Sequence, residues 1–193
     1  MENTSQQKDP NSSNKKTNRA APSLIFLIGF MGSGKSTLGR HLAKAIGWQF
    51  IDLDHHFEEK FRTTVPLFFN EFGEAGFRDA EQSALRDMQE MHKTVVAAGG
   101  GTPCYFDNMD FMNEHGITIY LKVSPEELAH RLSASKTVRP LVQGKTGEEL
   151  ISYIREKLAE REPFYTKAQI IADAAILDLD GYLRVLEGVG IKP

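Results

Sequence analysis

Short apolar runs alternate along this chain with longer segments in which apolar residues recur every three or four positions. The short runs predict buried strands, whereas the longer spacing predicts amphipathic helices. Repeated strand–helix units indicate an α/β fold, in which helices cover both faces of a parallel sheet. The predicted strands span 24–28, 48–51, 94–98, 117–121 and 169–176.

The predicted helices fill the segments between these strands. Leu38, Leu42 and Ile46 share one helical face, which predicts a helix over 35–46. The segments 124–127 and 146–149 each combine a capping hydroxyl residue with a glutamate three positions later, a pattern that begins helices. The remaining predicted helices are several pieces of 55–92 with breaks near Pro66 and Gly73, a helix from 124 onward, one from 146 to about 161, and a closing helix over 179–186.

Composition narrows the class of protein. The length of 193 residues suits one α/β domain, and 40% hydrophobic with 25% charged residues are ordinary values. A net charge of −3 argues against broad affinity for nucleic acid or a membrane surface. Cys104 is the single cysteine, which excludes an internal disulfide framework, and no apolar run approaches the roughly 18 residues of a membrane span. We therefore expect a cytoplasmic protein, a monomer, with no nucleic-acid or membrane partner.

Residues 1–22 differ from the rest of the chain. They are mainly Asn, Ser, Gln, Lys and Thr, with almost no apolar residue. Such a segment cannot bury enough apolar surface to offset the entropy lost on ordering. We therefore predict a disordered tail over 1–22 and a single domain over 23–193.

A glycine-rich loop joins the first predicted strand to the first predicted helix. It has the pattern G-x-x-x-x-G-K-[ST], which binds nucleotide phosphates through backbone N–H groups and the helix N-terminus. The lysine of this motif reaches the β- and γ-phosphates, and its hydroxyl binds Mg²⁺. A tight strand-to-helix turn would also use glycine, but the full pattern in this context favours ATP binding. The predicted binding residues are Gly32, Ser33, Gly34, Lys35, Ser36 and Thr37.

Asp52 and Asp54 follow the second predicted strand. Ligands of open parallel sheets bind beyond the C-terminal ends of the strands. Because strand side chains alternate with a period of two, we expect both carboxylates to point the same way. One division assigns Mg²⁺ to Asp52, through water, and the phosphate acceptor to Asp54. The alternative is a solvated turn that closes the strand.

The third predicted strand ends in Gly99, Gly100 and Gly101, without an acidic residue. Consecutive glycines allow the backbone to approach a ligand closely and to present free N–H groups. A plain turn rarely needs three of them. The sequence therefore predicts a ligand-contacting loop, and Asp52 remains the better candidate for the metal.

Arginines supply the candidate groups for binding anions. Arg161 shares a helical stripe with apolar residues at 150, 154 and 158, so it is expected to face inward and to need an anionic partner. Arg78 follows Phe77, and two arginines beside a glycine loop could hold a carboxylate in a bidentate manner. Each alone is equally compatible with a surface ion pair. Arg139 lies in a polar connector that is either disordered or a lid, and Arg131 precedes it as a candidate to stack on the base.

With these residues in view, the chain resembles the shikimate kinase family over 24–190. The resemblance implies a nucleoside-monophosphate-kinase-like P-loop fold, three layers α/β/α around a five-stranded parallel sheet. It also implies a small helical substrate-binding region near 54–80 and a lid near 133–146. The motifs that carry it are 29–37, 52–54, Gly73-Glu74 with Phe77-Arg78, 99–101, 139–141, and Arg161 with Pro163 and Tyr165.

The resemblance implies that the protein moves the γ-phosphoryl group of ATP to the 3-hydroxyl of shikimate. Asp54 would act as base, and Arg78 and Arg161 would bind the substrate carboxylate with help from the backbone of Gly100 and Gly101. Phe69 and Phe77 would form apolar walls. The implied donor-side residues are Lys35 and Arg139 for the phosphate charge, and Ser36 with Asp52 for Mg²⁺.

Two other functions compete with this interpretation. Another small-molecule P-loop kinase, such as a gluconate kinase, could also hold an acid with arginines. A nucleotide-dependent switch would need a guanine-binding Asn-Lys-x-Asp motif or an ABC-type Ser-Gly-Gly signature, and the sequence contains neither.

Overall fold

The computed structural model describes residues 23–135, 142, 144–174 and 176–191. Within them lies a five-stranded sheet with the order β2-β3-β1-β4-β5. Every strand pair is parallel, so the C-terminal ends of the strands share one edge. This confirms the predicted parallel sheet. The strands are β1 (Leu24–Ile28), β2 (Gln49–Asp52), β3 (Thr94–Ala97), β4 (Ile117–Lys122) and β5 (Ile170–Asp173).

Helices connect the strands, and short 3₁₀ turns lie at 87–90 and 102–104. The helix predicted over 35–46 is observed with the same boundaries, whereas the helix at 108–115 was not predicted. The α-helices are α1 (Lys35–Ile46), α2 (Leu53–Phe61), α3 (Val65–Arg86), α4 (Asn108–His115), α5 (Pro125–Ala134), α6 (Gly147–Tyr165) and α7 (Leu179–Gly188).

The two predicted capping boxes have different outcomes. The Ser124 hydroxyl accepts a hydrogen bond of 3.2 Å from the N–H of Glu127, which confirms the predicted cap of α5. Thr146 precedes α6, but its side chain makes no capping bond, so the predicted capping box there is wrong. The helix also continues past Arg161 to Tyr165.

Helix α3 bends at Gly73, as the sequence predicted. Gly73 has φ 68° and ψ −176°, a backbone conformation that favours glycine. Pro66 lies in the first turn of α3, where a missing N–H costs nothing. The bend separates the start of α3 from its second half, which carries Phe77 and Arg78.

The core forms two layers, one on each face of the sheet. Ile25 and Leu27 of β1 belong to the layer beneath α1 and α7, while Leu24, Phe26 and Ile28 belong to the layer beneath α3 to α6. This division follows from the period of two along a strand. The result is the predicted three-layer α/β/α arrangement. None of the described helices is both long enough and apolar enough to cross a membrane.

Candidate active site

The glycine-rich loop lies between the C-terminal end of β1 and the start of α1. Gly29, Gly32 and Gly34 have φ values of 139°, 82° and 98°, which side-chain-bearing residues rarely adopt. The Lys35 Nζ donates to the carbonyl oxygens of Gly29 (2.9 Å) and Phe30 (3.0 Å), so its ammonium group lies against the loop. This is the geometry that a phosphate-binding loop requires.

Other polar groups of the loop are placed to bind an anion. The Ser33 hydroxyl is buried and has no hydrogen-bond partner among the described residues. Gly34 caps the N-terminus of α1 without a side-chain bond, which leaves the N–H groups of the first turn facing the loop. Thr37 is exposed in that first turn. Buried polar groups normally have partners, so these groups fit a phosphate ligand.

The two predicted metal ligands are in contact. The Ser36 hydroxyl donates a hydrogen bond of 2.6 Å to one carboxylate oxygen of Asp52. The other Asp52 oxygen accepts from the N–H of Asp54 at 3.2 Å and caps α2. A hydroxyl and a carboxylate are the hard oxygen donors that Mg²⁺ prefers, so this pair fits the metal.

The expectation that Asp52 and Asp54 extend from one strand is wrong. Strand β2 ends at Asp52, and Asp54 lies in the first turn of α2. The capping bond made by Asp52 is the physical reason, since it starts the helix immediately after the strand.

Asp54 nevertheless lies at the predicted edge of the sheet. A methyl group built on Gly99 would lie 3.1 Å from an Asp54 carboxylate oxygen. Although the Asp54 side chain is exposed to solvent, many protein atoms lie around it. This partial loss of hydration, together with the negative charges of Asp52 and Glu81, raises its pKa to about 6, and the charge of Lys35 opposes the rise. A carboxyl group with this pKa can accept a proton near neutral pH.

The raised pKa of Asp54 leads to a prediction for the pH dependence of the reaction. If Asp54 must be ionised to accept a proton, kcat/KM for the phosphate acceptor, measured at saturating ATP, should fall about tenfold per pH unit below pH 6 and level off above pH 7. Initial rates from pH 5 to 8 test this. The same profile for the Asp54→Asn variant is the control, because it should lack the acidic limb. An acidic limb that survives in that variant would assign the titration to another group.

Arg78 lies beside the glycine loop and is held from several sides. Its Nη1 donates 2.8 Å to Glu81, and its guanidinium group lies 4.1 Å from the ring centre of Tyr105. A methyl group on Gly101 would lie 2.8 Å from Arg78 Nη1, so the loop approaches the guanidinium more closely than any larger residue allows. Burial lowers the pKa of Arg78, but the charge and the hydrogen bond of Glu81, together with Tyr105, raise the pKa overall. Arg78 is therefore a fixed cation.

The carboxylate of Glu81 organises this part of the site. Glu81 is 4% exposed, and its second oxygen accepts a hydrogen bond of 2.6 Å from the Thr102 hydroxyl, directly after the glycines. Glu81 stands three residues after Arg78 on one helix, and this spacing was the only feature of the sequence that indicated an ion pair between Arg78 and Glu81. The bond to Thr102 had no such signal.

Arg161 reaches the same loop from α6. Its guanidinium group lies over the Phe30 ring, 5.3 Å from the centroid, and its Nη1 would lie 3.5 Å from a methyl group on Gly100. The predicted inward orientation is consistent with this placement. Arg78 and Arg161 thus lie beside successive glycines of one loop.

The two predicted apolar walls differ in exposure. Phe69 is 39% exposed, whereas Phe77 is 6% exposed and packs in the core. Their ring centroids are 5.8 Å apart. Phe69 can therefore contact a ligand directly, while Phe77 supports it from behind.

The structure describes one of the two arginines that were predicted to bind the nucleotide. Arg131 donates 2.6 Å to Glu127 from Nε, and its Nη1 lies 3.4 Å from the carbonyl oxygen of Ser33 in the glycine-rich loop. Arg139 and half of the predicted lid lie outside the described residues. Tail residues 1–22 lie outside them as well.

The parallel sheet, the phosphate-binding loop and the acidic group beside it define a P-loop kinase. The model of the shikimate kinase family matches residues 31–180. The chain therefore belongs to the shikimate kinase family. A shikimate kinase from Parabacteroides distasonis is 50% identical over 150 residues, which are 78% of this chain and 87% of that protein.

Solved structures agree with this assignment. The crystal structure of shikimate kinase from Bacteroides thetaiotaomicron has a TM-score of 0.82 at 43% identity, and the match covers 86% of this chain and 98% of that chain. Shikimate kinase from Acinetobacter baumannii, solved in complex with shikimate, has a TM-score of 0.77 at 34% identity, with 89% and 96% covered. The fold predicted from the family resemblance is confirmed.

Proposed function

We propose that this protein transfers the γ-phosphoryl group of ATP to the 3-hydroxyl of shikimate, which yields shikimate 3-phosphate and ADP. The observation that carries the proposal is the placement of Asp54, Arg78 and Arg161 around one glycine loop beside the phosphate-binding loop. A carboxylate and a pair of arginines beside one glycine loop suit an acceptor that bears both a hydroxyl and a carboxylate.

The donor side consists of residues that bind and neutralise the phosphates. The backbone of the loop and the N-terminus of α1 bind the phosphate oxygens, and Lys35 offsets the charge that develops on the transferred group. Ser36 and Asp52 are the residues that would hold Mg²⁺, which when bound neutralises charge on the β- and γ-phosphates. Arg131 is assigned to the adenine base of ATP. Arg139 is assigned, with Lys35, to neutralising the phosphate charge, and this assignment rests on the family resemblance alone.

On the acceptor side, Asp54 removes a proton. Its carboxylate accepts the proton of the 3-hydroxyl as the hydroxyl oxygen bonds to the γ-phosphorus, and the bond between that phosphorus and the β,γ-bridging oxygen breaks. The bridging oxygen leaves with ADP. Because the pKa of Asp54 is raised to about 6, its carboxylate is mostly ionised at pH 7 and is still a better base than an ordinary aspartate.

Arg78 and Arg161 hold the substrate carboxylate in this proposal, with N–H groups of Gly100 and Gly101 beside them. Planar guanidinium groups match the geometry of a carboxylate. Glu81 and Tyr105 hold the guanidinium group of Arg78 in place before the substrate binds. Phe69, in front of Phe77, covers the apolar part of the acceptor ring. Gly99 leaves room for Asp54.

The same proposal extends to the organisation of the whole chain. Residues 23–193 form one kinase domain, with a substrate-binding region at about 54–80 and a lid at about 133–146, and 1–22 form a tail. The proposed oligomeric state is a monomer. The proposed location is the cytoplasm, where ATP is available.

The direct test is the identity of the product. Purified protein with ATP and Mg²⁺ should convert shikimate to shikimate 3-phosphate and release one ADP for each phosphate transferred. Phosphorus NMR of the product, coupled to its proton spectrum, identifies the esterified hydroxyl. Phosphate on a different hydroxyl would contradict the placement of Asp54 against the 3-position.

A further inference from the structure

Tyr165 is a buried residue of the site for which the mechanism above has no role. It is the last residue of α6, four positions after Arg161, and its side chain is 0% exposed. Its ring packs against that of Tyr120, with centroids 5.0 Å apart. Its hydroxyl donates a hydrogen bond to the carbonyl oxygen of Gly100. One helix therefore presents both a cation and a hydrogen-bond donor to the glycine loop.

The bond from Tyr165 determines the orientation of a peptide group. In a planar trans peptide, the carbonyl and the following N–H point in opposite directions. When the Gly100 carbonyl points toward α6, the N–H of Gly101 must point away from it. Among the described residues that N–H has no hydrogen-bond acceptor, although Gly101 lies against Arg78. It is therefore a free donor beside a fixed cation.

We infer that Tyr165 is a positioning residue for the acceptor carboxylate: its hydroxyl fixes the peptide between Gly100 and Gly101 so that the Gly101 N–H stays available to the substrate. The inference rests on the proposed function. The turn from Gly99 to Thr102 is closed by a 3.2 Å hydrogen bond from the Thr102 N–H to the Gly99 carbonyl oxygen. Such a turn can form with its central peptide in either of two orientations, and glycines accept both, so the bond from Tyr165 selects one of them. Burial raises the pKa of the Tyr165 hydroxyl, with the charge of Arg161 opposing, and the group stays protonated as a donor at neutral pH.

The test compares Tyr165→Phe with Tyr182→Phe. Both tyrosines are buried, but Tyr182 lies on the opposite face of the sheet and its hydroxyl has no partner among the described residues. Tyr165→Phe should raise KM for shikimate about 3- to 10-fold, the effect of one lost hydrogen bond, and leave KM for ATP within twofold. Tyr182→Phe should change neither constant. A purely structural role for Tyr165 would lower Tm and leave KM for shikimate unchanged, which would overturn the inference.

A second probe isolates the substrate carboxylate. The dissociation constants of shikimate and of its methyl ester, from titration calorimetry, should respond differently to Tyr165→Phe. Binding of shikimate should weaken about 3- to 10-fold, and binding of the ester should change less than twofold. Equal weakening of both would show that Tyr165 acts on some other part of the acceptor and would overturn the inference.

Amide NMR of the ligand-free protein separates this inference from the proposed function. Tyr165→Phe should shift the amide resonances of Gly100 and Gly101, and Tyr182→Phe should not. Unchanged glycine resonances in Tyr165→Phe would overturn the positioning role for any substrate. Shifted resonances in a protein whose wild type does not phosphorylate shikimate would support the positioning of the loop and refute the proposed reaction.

Discussion

Replacing Asp54 by asparagine should lower kcat by about 10²–10⁴-fold while ATP still binds with nearly its original affinity. Asparagine has the shape of aspartate but cannot accept a proton, so the variant removes the base and little else. Asp54 lies in the first turn of α2 beside Gly99. In the proposal, the phosphates are bound by the loop backbone, the N-terminus of α1 and Lys35, so ATP binding should stay intact. Stopped-assay rates at saturating substrates, with ATP binding by calorimetry, measure both effects.

Asp110→Asn is the matched control for this experiment. Asp110 is exposed in the first turn of α4, so the same chemical change there should leave kcat within twofold. An unchanged kcat in Asp54→Asn would remove Asp54 from the mechanism. Loss of ATP affinity together with rate would instead place Asp54 on the donor side.

Replacing Arg161 by lysine should raise KM for shikimate on the order of 10- to 100-fold, which corresponds to about 1.4–2.8 kcal/mol. Lysine keeps the positive charge but loses the planar fork that binds a carboxylate with two parallel hydrogen bonds. KM for ATP should stay within twofold. Steady-state kinetics with each substrate varied in turn measures both constants.

Arg155→Lys is the control on the same helix. Arg155 is exposed and pairs with Glu126 at 3.0 Å on the surface, so its replacement should leave both KM values unchanged. A rise in KM for ATP alone in Arg161→Lys would assign Arg161 to the donor phosphates and refute the carboxylate clamp.

The sequence predicted the architecture well where hydrophobic periodicity was long. Helix α1 has the predicted bounds, because three turns of apolar spacing and a glycine on either side define it. The strand predicted over 169–176 was too long, since β5 ends at Asp173 and Ile176 is 79% exposed. Helix α4 was missed because its 8 residues span too few turns to show a period.

Site residues were predictable where a local motif carries the chemistry. The phosphate-binding loop is of this kind. Asp52 was predicted from its place at the end of a strand, whereas the same strand argument was wrong for Asp54. The bonds of Glu81 to Thr102 and of Tyr165 to Gly100 join residues 21 and 65 positions apart. Such contacts depend on how helices pack over the sheet, and no local pattern encodes them. Arg78 is a similar case, since the guanidinium group of this α3 residue stacks on Tyr105, which follows the 3₁₀ turn at 102–104.

The phosphate-binding loop identifies only the donor in this site. Nothing in 29–36 selects an acceptor, and many kinases share such a loop. In the proposal, selection falls to Asp54, Arg78 and Arg161 with the glycine loop between them. These residues come from α2, α3, α6 and the end of β3. The acceptor therefore distinguishes this proposal from other P-loop kinases.

A competition between acceptors tests this claim most directly. With ATP and Mg²⁺ held constant, initial rates with shikimate and with gluconate yield kcat/KM for each acceptor. The proposed site predicts efficient turnover of shikimate and little or none of gluconate, because gluconate has no rigid ring to hold its carboxylate at a fixed distance from its reacting hydroxyl. Robust phosphorylation of gluconate with none of shikimate would contradict the account.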